Sequence, residues 1–342
     1  MRYIGCKKLL LDNIKNVIDE NVSSADTFCD IFSGTATVSR YFKQWYQIYS
    51  NDILYFSYVL QKATIENNIV PTFDTLKKVI KFDPIDYLNN VELPILESLP
   101  KEKRFFQNTY SPIGNRMYFN ENNALRIDYA RNKVQEWYDK QLIIDNEYYY
   151  LIACIVEGIP FISNISGTYG AYNKKWDNRS LKKYELFRLD VTQNNKQNCC
   201  FNCDGVELLK SISGDILYID PPYNSRQYLS NYHVLETGAL YDFPKVKGIT
   251  GQRPYENKKS KFCMKTKALD TFEELIKNAN FKHIILSYSS EGIMSINDIS
   301  NVMKKYGDLN TFKLYEIPYR RFKSKDTNKD SILKEILIYI RK

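Results

Sequence analysis

The stretch DILYIDPPYNSRQY, residues 215–228, sets a carboxylate, two prolines and an aromatic ring directly after a short apolar run. Pro221 and Pro222 restrict the backbone, and Tyr223 offers a flat apolar face. A fixed carboxylate at Asp220, a peptide carbonyl with no turn partner and an aromatic plate suit a planar substrate bearing an NH2 group. The two acceptors take its two hydrogens while the ring stacks on its face. Such a group needs a rigid mount, and ligands of open α/β sheets sit outside the carboxyl ends of the strands. The apolar run DILYID is a strand that delivers Asp220 to that edge.

A second constellation lies near the amino terminus. DTFCDIFSG (26–34) reads as a short buried strand running into a glycine turn, TATVSRYFKQW as a helix, and QIYSND (47–52) as a strand closing on Asp52. Strand, glycine turn, helix and strand with a terminal acid form a βαβ unit of the dinucleotide-binding type, in which the acid bonds ribose hydroxyls. Asp52 follows Asp30 by 22 positions, close to the spacing this chemistry requires. The turn reads Gly34-Thr35-Ala36 rather than a full glycine fingerprint, so an ordinary crossover with a surface aspartate is the competing reading.

Around these motifs, Leu9, Leu10, Ile14, Val17 and Ile18 fall at helical spacing and predict an amphipathic first helix. Strands resume at 197–204, 215–220, 282–290, 311–319 and 332–342, with helical stretches such as ALDTFEELIKNA between several of them. RRFKSKDTNKD is too short and polar for a helix, so the last two strands suit a hairpin added antiparallel to an otherwise parallel sheet. Residues 66–194 do not share this rhythm and exceed a normal crossover. They look mostly helical, with NALRIDYARNKVQEWYDKQ and EYYYLIACIVEG the clearest helices. The expected organisation is a doubly wound α/β sheet built from 1–65 and 195–342, interrupted by an inserted domain at 66–194.

The 342 residues carry a net charge of +8, which invites a polyanion as partner, although the Asn/Lys/Ile/Tyr bias would also follow from AT-rich coding. Between Lys245 and Lys267 eight basic residues face only Glu256, and three of Gly and Pro punctuate the run, which reads as a mobile basic loop. NKKWDNRSLKKYELFR (173–188) mixes cations with Trp176 and Tyr184. No apolar run is long enough to cross a bilayer, and MRYIGCKKLL lacks the features of a secretory signal. Seven cysteines without such a signal predict reduced thiols and a cytoplasmic protein. Cys200-Phe-Asn-Cys203 has half a zinc spacing, but no second pair or local histidine completes four ligands. These thiols, with Cys199, are expected to be buried and structural, and no metal is expected. His233 is read as a satisfied helix histidine ahead of a contact to base or phosphate.

DPPY at 220–223 resembles the catalytic motif of the S-adenosylmethionine-dependent DNA amino-methyltransferases, most closely the N6-adenine enzymes. YIGCK (3–7) resembles the amino-terminal motif of the Dam-type members, DIFSGTATVS (30–39) their cofactor glycine motif, and SND (50–52) their ribose-binding acid. The motif order is that of the alpha group. DPPYNSRQYLSNYHVLET and YRRFKS look closest to enzymes of type IIS restriction–modification systems.

This resemblance implies a Rossmann-like methyltransferase sheet, S-adenosylmethionine as cofactor and a sequence-specific adenine-N6 methylation of a flipped base in double-stranded DNA. It also implies a restriction endonuclease acting on the same site. Asp220, Pro221, Pro222 and Tyr223 would form the catalytic group. Tyr3, Gly5, Lys7, Asp30, Phe32, Gly34, Thr35, Asp52, Ile53 and Asp204 would line the cofactor, Lys7 facing its carboxylate. The inserted domain would read the target, with Tyr169, Asn173, Lys174, Lys175 and Arg179 joined by Arg253, Lys258, Lys259, Arg320 and Arg321 on DNA. Two departures stand out: Cys6 replaces the usual Gly or Asn, and Ala36 the second glycine of the cofactor turn. Each adds little bulk, so altered affinity is expected rather than lost binding. An RNA adenine methyltransferase, a cytosine-N4 enzyme and a nucleic-acid-binding protein without catalysis remain alternatives. A nicotinamide-dependent oxidoreductase explains neither DPPY nor the basic loop.

Overall fold

The structure is a computed structural model that describes residues 4–319 and 333–342. Tyr3, Arg320 and Arg321 lie outside the described residues. The chain forms two compact units: one of residues 6–53, 194–227 and 258–342, the other of residues 1–5, 54–193 and 228–257.

The first unit holds all seven named strands, in the order β3-β2-β1-β4-β5-β7-β6. These are β1 Thr27–Asp30, β2 Gln47–Asn51, β3 Cys199–Phe201, β4 Ser213–Ile219, β5 Asn280–Ser289, β6 Lys313–Tyr319 and β7 Leu333–Arg341. The first five are parallel, while β7 runs antiparallel to β5 and β6 antiparallel to β7. The expected sheet with its terminal hairpin is thus present. The buried stretches Ile216–Ile219 of β4, Ile284–Leu286 of β5 and Ile336–Ile340 of β7 are continuously apolar or aromatic because both faces are covered there. On one face Leu217, Ile219, Ile284, Leu286, Ile336 and Ile338 pack against Phe272, Leu275 and Ile299 of the helices Ala268–Asn278 and Ile296–Tyr306. On the sheet Phe28 stacks on Phe42 at 4.6 Å, and Ile14, Val17 and Ile18 of the helix Leu11–Asn21 are buried.

The chain leaves β1 for β2 on one side, and β4 flanks β1 on the other, so the strand order reverses at β1. Such a switch point opens a crevice at the carboxyl edge. Asp30 closes β1 and pairs in register with Tyr218 of β4, which puts Asp220 just past the same edge.

The second unit is helical. The helix Asp145–Gly158 is buried nearly all round from Tyr150 to Val156, as a central helix must be. The segment 228–257 belongs to this unit, which corrects the expectation that it stays with the sheet. Glu236 of the helix Tyr228–Leu240 accepts the Tyr55 and Phe56 N–H groups at the start of another helix, and buried Arg131 donates to Gly238 O at 2.9 Å. No helix among the described residues is long and apolar enough to cross a membrane.

Candidate active site

The carboxyl edge of the sheet carries two acidic arrangements. In the first, Lys7 Nζ lies 3.2 Å from Asp220 Oδ1 and in direct contact with Glu335 Oε1. Ser287 Oγ of β5 donates to the same Glu335 oxygen at 2.8 Å. Lys7 and Glu335 are buried, whereas the Asp220 side chain keeps 18 % of its exposure. Burial pushes the Asp220 carboxyl up to about 7, with Glu335 reinforcing and Lys7 opposing. Burial alone would lower Lys7, but the two carboxylates hold its ammonium above the ordinary lysine range. Pro221 is buried, and Tyr223 lies half-buried against the apolar core, its carbonyl accepting the Ile293 N–H at 3.0 Å.

The second arrangement is the turn after β1. Asp30 Oδ2 accepts both the N–H and the hydroxyl of Ser39, whose hydroxyl also meets Ser50 at 2.9 Å. Asp30 Oδ1 is buried without a hydrogen-bond partner. Burial pushes this carboxyl up to about 7, Ser39 opposing and Asp220 reinforcing. Asp52 Oδ2 accepts the Gly34 N–H at 2.9 Å, which ties the turn to the end of β2. Asn51 braces the same edge, its amide donating to the Ile31 and Cys203 carbonyls. Gly34 and Ala36 both take positive φ, +52° and +57°.

This geometry can hold a cationic, hydroxyl-bearing ligand beside a carboxylate that faces an amino group. The model of the D12 class N6 adenine-specific DNA methyltransferases matches residues 3–302. The chain belongs to this family. Among its relatives, type II methyltransferase M.FokI of Planomicrobium okeanokoites is 49% identical over all of this chain and 53% of its own length. Modification methylase StsI of Streptococcus sanguinis is 45% identical over all of this chain and 52% of its length. The chain thus spans about half the length of these two. Type II methyltransferase M.NlaIII of Neisseria lactamica is 37% identical, over 96% of this chain and 94% of its own.

For a D12 class methyltransferase, the residues expected at the cofactor and the target group divide clearly. Lys7, Asp30, Phe32, Gly34, Thr35, Asp52, Ile53, Asp204 and Asp220–Tyr223 all belong to the sheet unit, while Gly5 (φ +77°) belongs to the helical one. Phe32 is wedged edge-to-face on Phe262 at 5.2 Å, Thr35 meets the Thr37 hydroxyl, and Asp204 caps the helix Gly205–Leu208. Lys7, expected to face the cofactor carboxylate, has its ammonium engaged by two carboxylates of the chain itself. The two departures from the motif also differ. Cys6 has an ordinary φ of −57°, so nothing there demands glycine, whereas Ala36 is strained by conformation rather than bulk.

Several residues expected on DNA lie inside the helical unit. Tyr169 is fully buried, its hydroxyl on Ser163, and Arg253 is buried against Asp242 at 2.7 Å. Neither presents a surface. Arg179 and Asn173 are half-buried, Arg179 donating to the Ser163 and Ile165 carbonyls and Asn173 bonding Asn164. Lys174, Lys175 and Lys259 are exposed and Lys258 half-exposed. The run from Lys245 is anchored rather than loose, because Lys247 bridges Gln252 and Arg116 donates to the Gly248 and Ile249 carbonyls. His233 is buried with Nε2 on Tyr169 O at 3.0 Å and is held down to about 4 by burial, so it is neutral. Cys199, Cys200 and Cys203 are half-exposed rather than buried, and all seven cysteines are free thiols.

Sequence reasoning missed Glu335, Ser287 and the bracing role of Asn51. A signal for Glu335 existed: it is the one acid within ILIYI-type residues of a strand whose side chains are buried on both faces from Ile336 to Ile340.

Proposed function

We propose that the chain transfers a methyl group from S-adenosylmethionine to the N6 amino group of an adenine flipped out of double-stranded DNA. The observation that carries this reading is Asp220, nearly buried and bound to Lys7 at the carboxyl end of β4, followed at once by Pro221, Pro222 and Tyr223. When bound, S-adenosylmethionine supplies an electrophilic methyl group on a sulfonium. The residues that fit it are Asp30, whose orphaned buried oxygen suits an ammonium, and Asp52 with the Gly34 turn, which suit ribose hydroxyls.

The exocyclic nitrogen of adenine is a poor nucleophile because its lone pair is delocalised into the ring. Asp220 and the Pro221 carbonyl accept its two hydrogens and favour a pyramidal nitrogen with a directed lone pair. This is positioning and electrostatic preorganisation. The nitrogen must also shed one proton, and a carboxyl balanced near neutrality at Asp220 can receive it. Tyr223 stacks on the base and offsets part of the few kcal/mol that unstacking costs. In this reading the helical unit selects the sequence, Lys174, Lys175, Lys258 and Lys259 meet phosphates, the setting is cytoplasmic, and a restriction endonuclease shares the target.

The test is transfer of tritiated methyl from S-adenosylmethionine to unmethylated duplex DNA, with total RNA in parallel, followed by nucleoside analysis. Label in N6-methyladenine of the duplex is expected. Label confined to RNA or to N4-methylcytosine reassigns the substrate, and label in neither overturns the reading.

A further inference from the structure

Methyl transfer as proposed needs Asp220 to act as a strong acceptor, and an ammonium beside a carboxylate weakens it in that role. A lone Lys7–Asp220 bridge would leave most of the carboxylate's lone pairs free, but each would be a weaker acceptor for a substrate amino group. The structure departs from that arrangement. Lys7 is shared between two acids, and the second, Glu335, arrives from the antiparallel strand β7, 328 positions away in the chain. Glu335 is itself fixed by the Ser287 hydroxyl of β5, the strand that pairs with both β4 and β7. The cluster therefore has two carboxylates for one ammonium.

We infer that Glu335 is a positioning residue for methyl transfer: from β7 it draws the Lys7 ammonium partly off Asp220 and leaves that carboxylate available to the substrate amino group. The inference rests on the functional reading above. Its support is the contact geometry, and the electrostatics agree in sign. Asp220 is faced by Lys7, which lowers it, by Glu335, which raises it, and by the neighbouring Asp30 of β1 and the buried Tyr218 of β4. Of these, only Glu335 lies on the terminal hairpin. Ser287 adds a neutral hydrogen bond that orients Glu335 without adding charge.

Glu335→Gln keeps an acceptor for both Lys7 and Ser287 while removing the second negative charge, so it separates position from charge. Two measurements on the full chain test the role. In protein labelled with 13C-aspartate, the Asp220 carboxyl resonance, assigned by its absence in Asp220→Asn, is followed through pH. In parallel, kcat/KM for S-adenosylmethionine on duplex DNA is followed through pH, which reports groups of the free enzyme. The Asp220 midpoint is expected to move to lower pH in Glu335→Gln. The acidic limb should follow, so that at pH 6 the variant keeps a roughly threefold larger fraction of its plateau rate than wild type, while the plateau itself falls. Glu335→Asp restores both midpoints towards wild type. A merely structural Glu335 would lower the melting temperature and move neither midpoint. An unmoved Asp220 titration in a protein that methylates DNA overturns this role alone. A wild-type protein that methylates nothing overturns the functional reading beneath it, whichever way the resonance moves.

Discussion

Asp128 in the helical unit and Asp220 in the sheet unit share a titration but not a purpose. Burial pushes each carboxyl up to about 7. Asp128 has both oxygens saturated by fixed donors, the Phe106 and Gln107 N–H groups and the Tyr241 hydroxyl, at 2.7–2.8 Å. It ties the start of the helix Phe105–Tyr110 to the helix that carries it, as an acid at a helix N-terminus should. Asp220 has an ammonium contact instead, shared with a second carboxylate. Asp30 stands between them, one oxygen saturated by Ser39 and the other orphaned. A perturbed carboxyl is therefore not by itself a sign of chemistry. What separates these three is how much acceptor capacity the fold has already used.

The sharpest way to break this comparison is to remove each acid and read two quantities. Asp220→Ala should lower methyl transfer by about 1000-fold or more while leaving DNA binding and the melting temperature nearly intact. Asp128→Asn should do the reverse. Its amide cannot accept on both sides, so a backbone N–H is left unsatisfied at a cost of about 2–3 kcal/mol. The folded fraction should transfer methyl at the normal rate. Substantial transfer by Asp220→Ala, measured with the tritium assay, would end the assignment of the site.

Asp30→Asn sharpens the middle case. An Asn can still accept from Ser39, so stability should change little, but the orphaned oxygen loses its charge. Calorimetric titration should show S-adenosylmethionine binding weakened about tenfold or more, equivalent to about 1.4 kcal/mol. Unchanged affinity would remove Asp30 from the cofactor site.

The same three carboxyls make a prediction about pH. Unfolded, they titrate near 4; folded, all three titrate near 7. Between those values the folded chain holds protons that the unfolded chain has released, so stability falls as pH rises from about 4 to about 7. His233 opposes this, because it is held down to about 4 and its neutral form favours the folded state as pH rises to about 6.5. His283 is also held below the ordinary histidine value by burial and opposes in the same direction. Three groups outweigh two, so the melting temperature should be higher at pH 5 than at pH 8. Asp220→Asn should narrow that gap by removing one of the three, and an equal gap in the variant would contradict the cluster's electrostatics.

The sheet and the carboxyl edge that carries Asp220 were legible because both are local. A strand's apolar run, the acid that ends it and the prolines that follow are neighbours in the chain. The inward-facing residues of the helical unit were not. Nothing in ISGTYGAYNKKW says that Tyr169 turns onto Ser163, and nothing in GQRPY says that Arg253 folds back onto Asp242. Composition reports which side chains a loop owns, not which of them it buries. The segment 228–257 was misplaced for a related reason. It follows DPPY directly in the chain, while its partners Tyr55, Phe56 and Arg131 are more than 90 residues away. Glu335 required a pairing across 328 positions.

The smallest predicted effect concerns the two departures from the family motif, which sequence reasoning treated alike. Both replace a glycine-type position with a small side chain, and volume alone does not distinguish them. Backbone conformation does. Ala36 sits at φ +57°, where an L-residue is disfavoured by roughly 1–2 kcal/mol, and glycine recovers that while giving back about 0.5–1 kcal/mol of chain entropy. Cys6 at φ −57° has no such strain to relieve, and its thiol lies 3.7 Å from the Thr37 hydroxyl. Ala36→Gly should therefore stabilise the chain by about 0.5–1 kcal/mol, and Cys6→Gly should destabilise it by a similar amount. Urea unfolding of the two variants resolves differences of this size. Two losses would mean that the turn after β1 tolerates Ala36 because its neighbours compensate, and would move the family's glycine requirement from backbone strain to contact with the cofactor.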